Sequence, residues 1–444
     1  MTGIAVREGE HRKPIHLGAH FPGVNNTTVW QVPEAGSQVD FASFEHLARV
    51  AEDARFDFFF LAEGLRLREH LGRIHDLDVV GRPDTFTVLA ALAAVTDRLG
   101  LAGTINTTFN EPFEVARQFA TLDHLSAGRA AWNMVTSSDA FTGANFRRGG
   151  FLPHADRYRR AAEFITVAQR FWDAWDAAAP QRVVHRGEQF TVDGYPELPR
   201  SPQGHPVLLQ AGDSADGREF GARHADAIFT RHGTLEAGRE FYADIKARAA
   251  AHGRNPDHLK VFPAATFVIG DSRAEADEKA RHIRLLQVGP QTAINFLEQV
   301  WGRDLSDYDP DGPVPQEDPT FDAVTQGRTR QGDPREIAAR YRARAEAGGL
   351  SIRELVIEMT ARQQFVGTPE QVADGIDRYV QADACDGFIL VPHLTPTGLD
   401  DLAARVVPIL QERGAFRTEY EGTTLRDHLG LPPLSAAGSE RRTG

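Results

Sequence analysis

Short apolar runs return eight times along this chain, at 15–19, 56–62, 99–105, 130–135, 207–211, 225–230, 261–269 and 387–391. Between them lie amphipathic stretches of helical period, at 44–54, 86–96, 113–122, 157–174, 235–251 and 369–381. A strand followed by a helix and then another strand demands parallel pairing with a crossover, and eight such strands in one chain point to an α/β fold, a (β/α)8 TIM barrel. A doubly wound sheet is the competing architecture. It usually carries a phosphate-binding glycine fingerprint after its first strand, and neither GxGxxG nor GxxxxGK[ST] occurs here. The whole chain, 1–444, therefore reads as one barrel domain with insertions.

Two regions exceed a minimal barrel. Residues 176–206 carry a run of turn residues, from Asp193 and Gly194 to Pro206, which predicts a β-rich excursion before the fifth strand. Residues 300–335 are acidic and rich in proline and glycine, and that length without periodicity predicts a lid or insertion. The tail after about residue 434 is expected to be unstructured.

Charge and cysteine content narrow the partners. A net charge of −13 disfavours nucleic acid and anionic membrane surfaces. No run approaches the ~18 apolar residues of a membrane span, and the first residues have no apolar core of a signal peptide, so a cytoplasmic location is expected. The single cysteine, Cys385, excludes an intrachain disulfide and a multi-cysteine metal site.

If the fold is this barrel, the chemistry sits at the C-terminal ends of the strands. The second strand ends in Ala62-Glu63-Gly64, the third in Asn106-Thr107-Thr108, and the fourth carries Asn133. The fifth runs into Gly212-Asp213-Ser214 and opens a helix, which reads either as a phosphate site or as a plain helix cap. His154 and Tyr158 stand four residues apart at the head of the long helix before the fifth strand, on one face, suited to a phosphorylated planar cofactor or to ordinary solvation. Asn133 offers a donor and an acceptor to a flavin pyrimidine edge, or to backbone. Glu63 and Thr107–Thr108 could complete such a pocket or merely close turns. The segment 19–30, with His20, Asn25 and Trp30, follows the first strand and is the candidate substrate pocket. His16 and His20 share a strand without a zincin's helical glutamate, and no other histidine pattern suggests a metal. There is no GxSxG elbow. Lacking metal, nucleophile and dinucleotide fingerprint, such a barrel needs a cofactor for its hard chemistry.

Taken together, FDFFFLAEGL (56–65), RPDTFTVLAALAAVTDRLGL (82–101), ARQFATLDHLSAGRAAWNMVTS (116–137), HADRY (154–158), QAGDSADGREFGARHADAIFT (210–230), GTPEQVADGI (367–376) and RGAFRTEYEGTTLRDHLGL (413–431) resemble one enzyme family. It is the flavin monooxygenases of the nitrilotriacetate monooxygenase component A and dibenzothiophene sulfone monooxygenase type, within the bacterial-luciferase-like superfamily. The likeness spans about residues 14–432. It implies a luciferase-like barrel that receives reduced FMN from a separate NAD(P)H:FMN oxidoreductase and assembles as a homo-oligomer. Oxygen then adds to the flavin, and the resulting C4a-peroxide oxygenates a small organic substrate, so no catalytic side chain is designated. NAD(P)H takes part only through the partner. The family's FMN-binding positions fall on Glu63, a threonine of Thr107–Thr108, His154, Tyr158 and Ser214, with Asn133 nearby. One departure stands out: the family usually has aspartate where this chain has Glu63. An F420-dependent dehydrogenase on the same barrel, or a non-catalytic flavin-binding protein, are the alternatives.

Overall fold

The computed structural model describes residues 12–22, 27–30, 32–65, 67, 69–70, 73–74, 82–136, 145–146, 154–175, 179–320, 333–360 and 363–434. Eight parallel strands close into a barrel in sequential order. They are β1 (His16–His20), β2 (Phe58–Leu61), β3 (Gly100–Asn106), β4 (Ala130–Val135), β5 (Val207–Gln210), β6 (Ala227–Thr230), β7 (Lys260–Ala265) and β8 (Gly387–Leu390). The circuit closes where β1 pairs with β8 on one side and β2 on the other, His16 opposite Gly387 and Gly18 opposite Phe58. All eight apolar runs became barrel strands because each is buried on both faces, by the lumen inside and a helix outside. The run 261–269 was read as one strand. It is two: β7 stops at Ala265, and Phe267–Ile269 leaves the barrel to pair in parallel with Phe365–Gly367.

The helices used below are α1 (Phe41–Asp53), α2 (Thr85–Ala93), α3 (Pro112–Leu125), α4 (His154–Asp173), α5 (Ala215–His224), α6 (Leu235–Ala251), α7 (Arg273–Gln287), α8 (Pro290–Trp301), α9 (Pro334–Gly348), α10 (Ile352–Thr360) and α11 (Pro369–Gln381). Their starts are written into the sequence. The Asp84, Thr234 and Ser272 side chains each accept an amide of the first turn. Thr368 and Gln371 form a reciprocal capping box with Pro369 at the first helical position. Among the described residues no helix is long and apolar enough to cross a membrane.

One device recurs at the N-terminal ends of the strands. Asp57, Asp226 and Asp386 each directly precede a strand, and each accepts an amide of the preceding strand in the circuit. The bonds are Leu17 N at 2.7 Å, Leu208 N at 3.1 Å and Val261 N at 2.8 Å. Each buried carboxylate has a cationic partner: Arg417 at 2.5 Å, Arg426 at 2.8 Å and Lys246 at 3.3 Å. Two of those cations belong to the C-terminal segment 413–431. Leu425, Leu429 and Leu431 of the same segment join Phe58, Phe262 and Ile389 in the lumen core. The segment plugs the bottom of the barrel, so the open end is the opposite one.

Outside the barrel, Val183–Arg186 and Thr191–Gly194 form an antiparallel hairpin before β5. Helices α8, α9 and α10 build an insertion with its own apolar cluster, including Trp301, Leu305 and Val314. Within it the 302–320 connection is held by Trp301 Nε1 donating to Glu317 O at 2.8 Å and Arg342 Nε donating to Pro315 O at 3.0 Å. The tail beyond residue 434 and residues 321–332 lie outside the described residues.

Candidate flavin and substrate site

At the open end, β3, β4 and β5 meet the first turns of α4 and α5 around a cavity of about 180 Å³. Its lining includes Thr107, Met134, Thr136, Arg157, Tyr158, Gln210 and Phe220. Helix α4 is fixed there by Arg160 of its second turn: Arg160 Nε donates to Thr107 O at 3.1 Å and Nη2 to Asn110 O at 3.1 Å, with the guanidinium over the Phe190 ring. That tether brings the Tyr158 side chain to the β5–α5 junction.

The junction itself has a cradle. A Cβ on Gly217 would lie 2.9 Å from both the Gly212 carbonyl carbon and the Tyr158 hydroxyl. One on Gly212 would lie 3.1 Å from the same hydroxyl and collide with the Gln210 amide. Both glycines therefore keep a side-chain-free surface under the tyrosine at the positive end of α5. Ser214 caps that helix, its Oγ accepting Gly217 N at 3.1 Å. The hydroxyl proton stays available to a second acceptor. Ser214 is thus both the cap and a candidate phosphate ligand, two readings that the sequence set against each other.

The ring-edge candidates lie deeper. Asn133 and Thr104 occupy paired register positions, and Asn133 Nδ2 donates to Thr104 Oγ1 at 2.9 Å. Asn133 Oδ1 and Gln210 Oε1 are buried acceptors without a hydrogen-bond partner among the described residues. Thr107 and Thr108 are buried, and Thr107 donates its amide to Val135 O at 3.0 Å. Glu63 follows β2, half-buried by area. Its Oε2 accepts Asn106 Nδ2 at 3.0 Å, and burial pushes its carboxyl up to about 7 against that hydrogen bond. The extra methylene over aspartate lets it reach Asn106 at the end of the neighbouring strand.

His154 opens α4 one turn before Tyr158. Asn25 lies outside the described residues. His20 ends β1 with its ring stacked on Phe60 at 5.5 Å, and Phe60 stacks on Phe229 across the lumen at 5.4 Å. Trp30 follows Val29, whose amide donates to His393 O at 2.7 Å. Burial lowers both His20 and His393 to about 4, so both rings are neutral at physiological pH. His16 belongs to the other end of β1, where its Nδ1 meets Asp57 at 3.0 Å. Among the described residues no group of three or more His, Cys, Asp or Glu side chains is placed to hold a metal ion. Cys385 is buried, and burial raises its thiol well above the ordinary value.

Sequence reasoning missed Gln210 and Arg157. Gln210 carried a signal, being the one polar residue of the strand VLLQ, at its C-terminal end. Arg157 carried none, because an arginine one turn into an amphipathic helix ordinarily faces solvent.

The family model described as luciferase-like monooxygenase matches residues 24–385. The N-acetyl-S-(2-succino)cysteine monooxygenase of Bacillus subtilis (strain 168) is 40% identical, over 95% of this chain and 97% of its own. Nitrilotriacetate monooxygenase component A of Aminobacter aminovorans is 39% identical, over 93% and 94%. Among solved structures, riboflavin lyase with modified FMN and riboflavin superposes with a TM-score of 0.79 at 31% identity, covering 97% of this chain and 100% of that one.

Proposed function

The chain belongs to the luciferase-like monooxygenase family and is an oxygenating enzyme; from that premise we propose that it is the oxygenase half of a two-component system. It takes FMNH2 from a separate NAD(P)H:FMN oxidoreductase and, with O2, oxygenates a small organic substrate. The observation that carries this reading is the cradle of Tyr158, Gly212, Ser214 and Gly217 above the β3–β5 cavity. A phosphorylated ligand fits it: glycine surface, two hydroxyls and the first-turn amides of α5 are the donor set a phosphate needs.

In this reading Ser214 and Tyr158, joined by His154, hold the phosphate of FMN. Asn133 Oδ1 and Gln210 Oε1, two buried acceptors, receive N–H groups of the ring edge. Glu63 holds a proton on its carboxyl near neutrality and so can donate as well as accept there. Thr107 and Thr108 close the wall between β3 and β4. Bound reduced FMN supplies the electrons that activate oxygen. The protein's own work is to orient the ring, to exclude water and to seat the substrate. The insertion of α8 to α10 is the candidate lid, and the helix that leads into it, α7, is tied to the segment after β1 by its Gln287 side-chain amide donating to Thr27 O.

The name component A borne by the nitrilotriacetate enzyme supports a partner that delivers the flavin. The test is direct. The purified chain with FMN, oxygen and NADH should consume NADH no faster than buffer, and an unrelated NAD(P)H:FMN reductase should start oxygen uptake. Rapid NADH oxidation by this chain alone would defeat the two-component reading.

A further inference from the structure

Asn106, the last residue of β3, is fully buried and makes hydrogen bonds in three directions. Its Nδ2 donates to Glu63 Oε2, beyond the end of β2, at 3.0 Å. Its Oδ1 accepts the Phe109 amide at 2.8 Å, and its main-chain O accepts Asn110 Nδ2 at 2.8 Å. A backbone amide only donates, so Phe109 fixes which end of the Asn106 side chain is oxygen and turns the nitrogen towards Glu63. A primary amide is needed for this double role. Aspartate keeps the acceptor and loses the donor, and leucine loses both.

The run of bonds continues beyond the turn. Asn110 O accepts Arg160 Nη2 at 3.1 Å, and Thr107 O accepts Arg160 Nε at 3.1 Å. Arg160 is buried, its guanidinium 4.3 Å from the centre of the Phe190 ring. It lies two residues after Tyr158 in α4, and the Tyr158 hydroxyl stands over the Gly212–Gly217 cradle. Apolar packing presses α4 on the barrel without direction, whereas hydrogen bonds to two carbonyls of one turn are directional. The turn 106–110 therefore joins a group beyond β2 to a group on α4 that the sequence places far apart.

We propose that Asn106 is a positioning residue for the flavin: it holds the Glu63 carboxyl at the ring edge and, through Asn110 and Arg160, the Tyr158 hydroxyl at the phosphate, in one fixed relation. Ring and phosphate belong to one molecule, so the two holds must agree to within about 0.5 Å. Asn106 acts on binding only through these two groups. The inference rests on the flavin reading above.

The test compares FMN with riboflavin, the same ring without the phosphate, by quenching of flavin fluorescence on the full chain. Asn110 is half-buried, and Asn110→Ala removes only the bond to Asn106 O. It should weaken FMN by roughly threefold to tenfold, the worth of one hydrogen bond, and leave riboflavin within about twofold. In a Tyr158→Phe background the same change should cost FMN almost nothing more, because the group it acts through is gone. Asn106→Leu should weaken both flavins, since it also releases Glu63. Asn106→Asp combined with Glu63→Gln exchanges donor and acceptor, and should bind FMN clearly better than Asn106→Leu. Three results would overturn the proposal: Asn110→Ala weakening both flavins alike, an equal penalty with and without the Tyr158 hydroxyl, or an exchange variant no better than Asn106→Leu. Should Asn106→Leu fail to fold, the Asn110→Ala and Tyr158→Phe cycle decides alone. A wild-type preference for FMN that survives in every variant rejects this inference and keeps the cradle. Equal binding of FMN and riboflavin by the wild type removes the cradle and this inference with it.

Discussion

Replacing Ser214 in two ways separates its two roles. Its Oγ accepts Gly217 N at 3.1 Å, so Ser214→Ala removes a helix cap that is worth about 1 kcal/mol. The same change deletes a hydroxyl donor to phosphate, worth roughly 1.5–3 kcal/mol for a bond to a charged group, or about 10- to 150-fold in Kd. Ser214→Asp keeps a cap of equal quality and adds a charge that favours the N-terminus of α5. It also places a carboxylate against the phosphate. At about 4 Å and an effective dielectric near 20 that repulsion is about 4 kcal/mol. Ser214 is exposed, so screening reduces it to roughly 1–2 kcal/mol, on top of the lost donor. The two properties must therefore cross. Thermal unfolding without FMN should rank wild type level with Ser214→Asp and above Ser214→Ala. Quenching of FMN fluorescence on titration should rank wild type first, Ser214→Ala second and Ser214→Asp last, the final gap narrowing as salt is added. If affinity instead follows stability, with aspartate binding at least as well as alanine, Ser214 is a cap and nothing more, and the phosphate belongs elsewhere.

Gly217→Ala should gain up to ~1 kcal/mol of helix propensity and yet lose FMN affinity on the order of tenfold or more, because its Cβ would force apart Gly212 and the Tyr158 hydroxyl. Gly194→Ala, in open space, is the control, and equal affinities in the two variants would refute the cradle. Glu63 is raised from 4.5 to about 7, so the folded state binds its proton more tightly than the unfolded chain does, and stability falls as pH rises between those values. Glu63→Gln, which still accepts from Asn106, should therefore be more stable than wild type above pH 7 and lose that advantage towards pH 4.5; urea melts at both ends check it. Asp57 behaves in the opposite sense. Burial alone would raise it, but Arg417 and His16 outweigh that and hold it at about 2, below its ordinary 3.8. Its contribution, on the order of 2 kcal/mol, is present above pH 4 and is lost as pH falls towards 2, a slope that Asp57→Asn should flatten in acid unfolding.

Much of this architecture could be read from local pattern. Eight apolar runs separated by amphipathic stretches have few solutions, and the caps that the structure shows at Asp84 and Thr368 are equally local, because an N-cap needs only its own next three residues. The Ser214 cap was legible for the same reason: a glycine, a cap and a helix are local signals. What the sequence could not decide depends on contacts between distant residues. Nothing in the run 261–269 says that Thr266 divides a barrel strand from an outer pair, since that break is made by partners at 365–367. Strand-leading aspartates at 57, 226 and 386 form a visible repeat, but their meaning depends on an amide from another strand and on cations 140 to 360 residues away, from Lys246 beside Asp386 to Arg417 beside Asp57. Gln210 and Arg157 are unremarkable in their own segments. They come to line one cavity only when barrel closure sets the ends of the strands around one mouth, because side chains remote in sequence share a pocket only after the chain has closed.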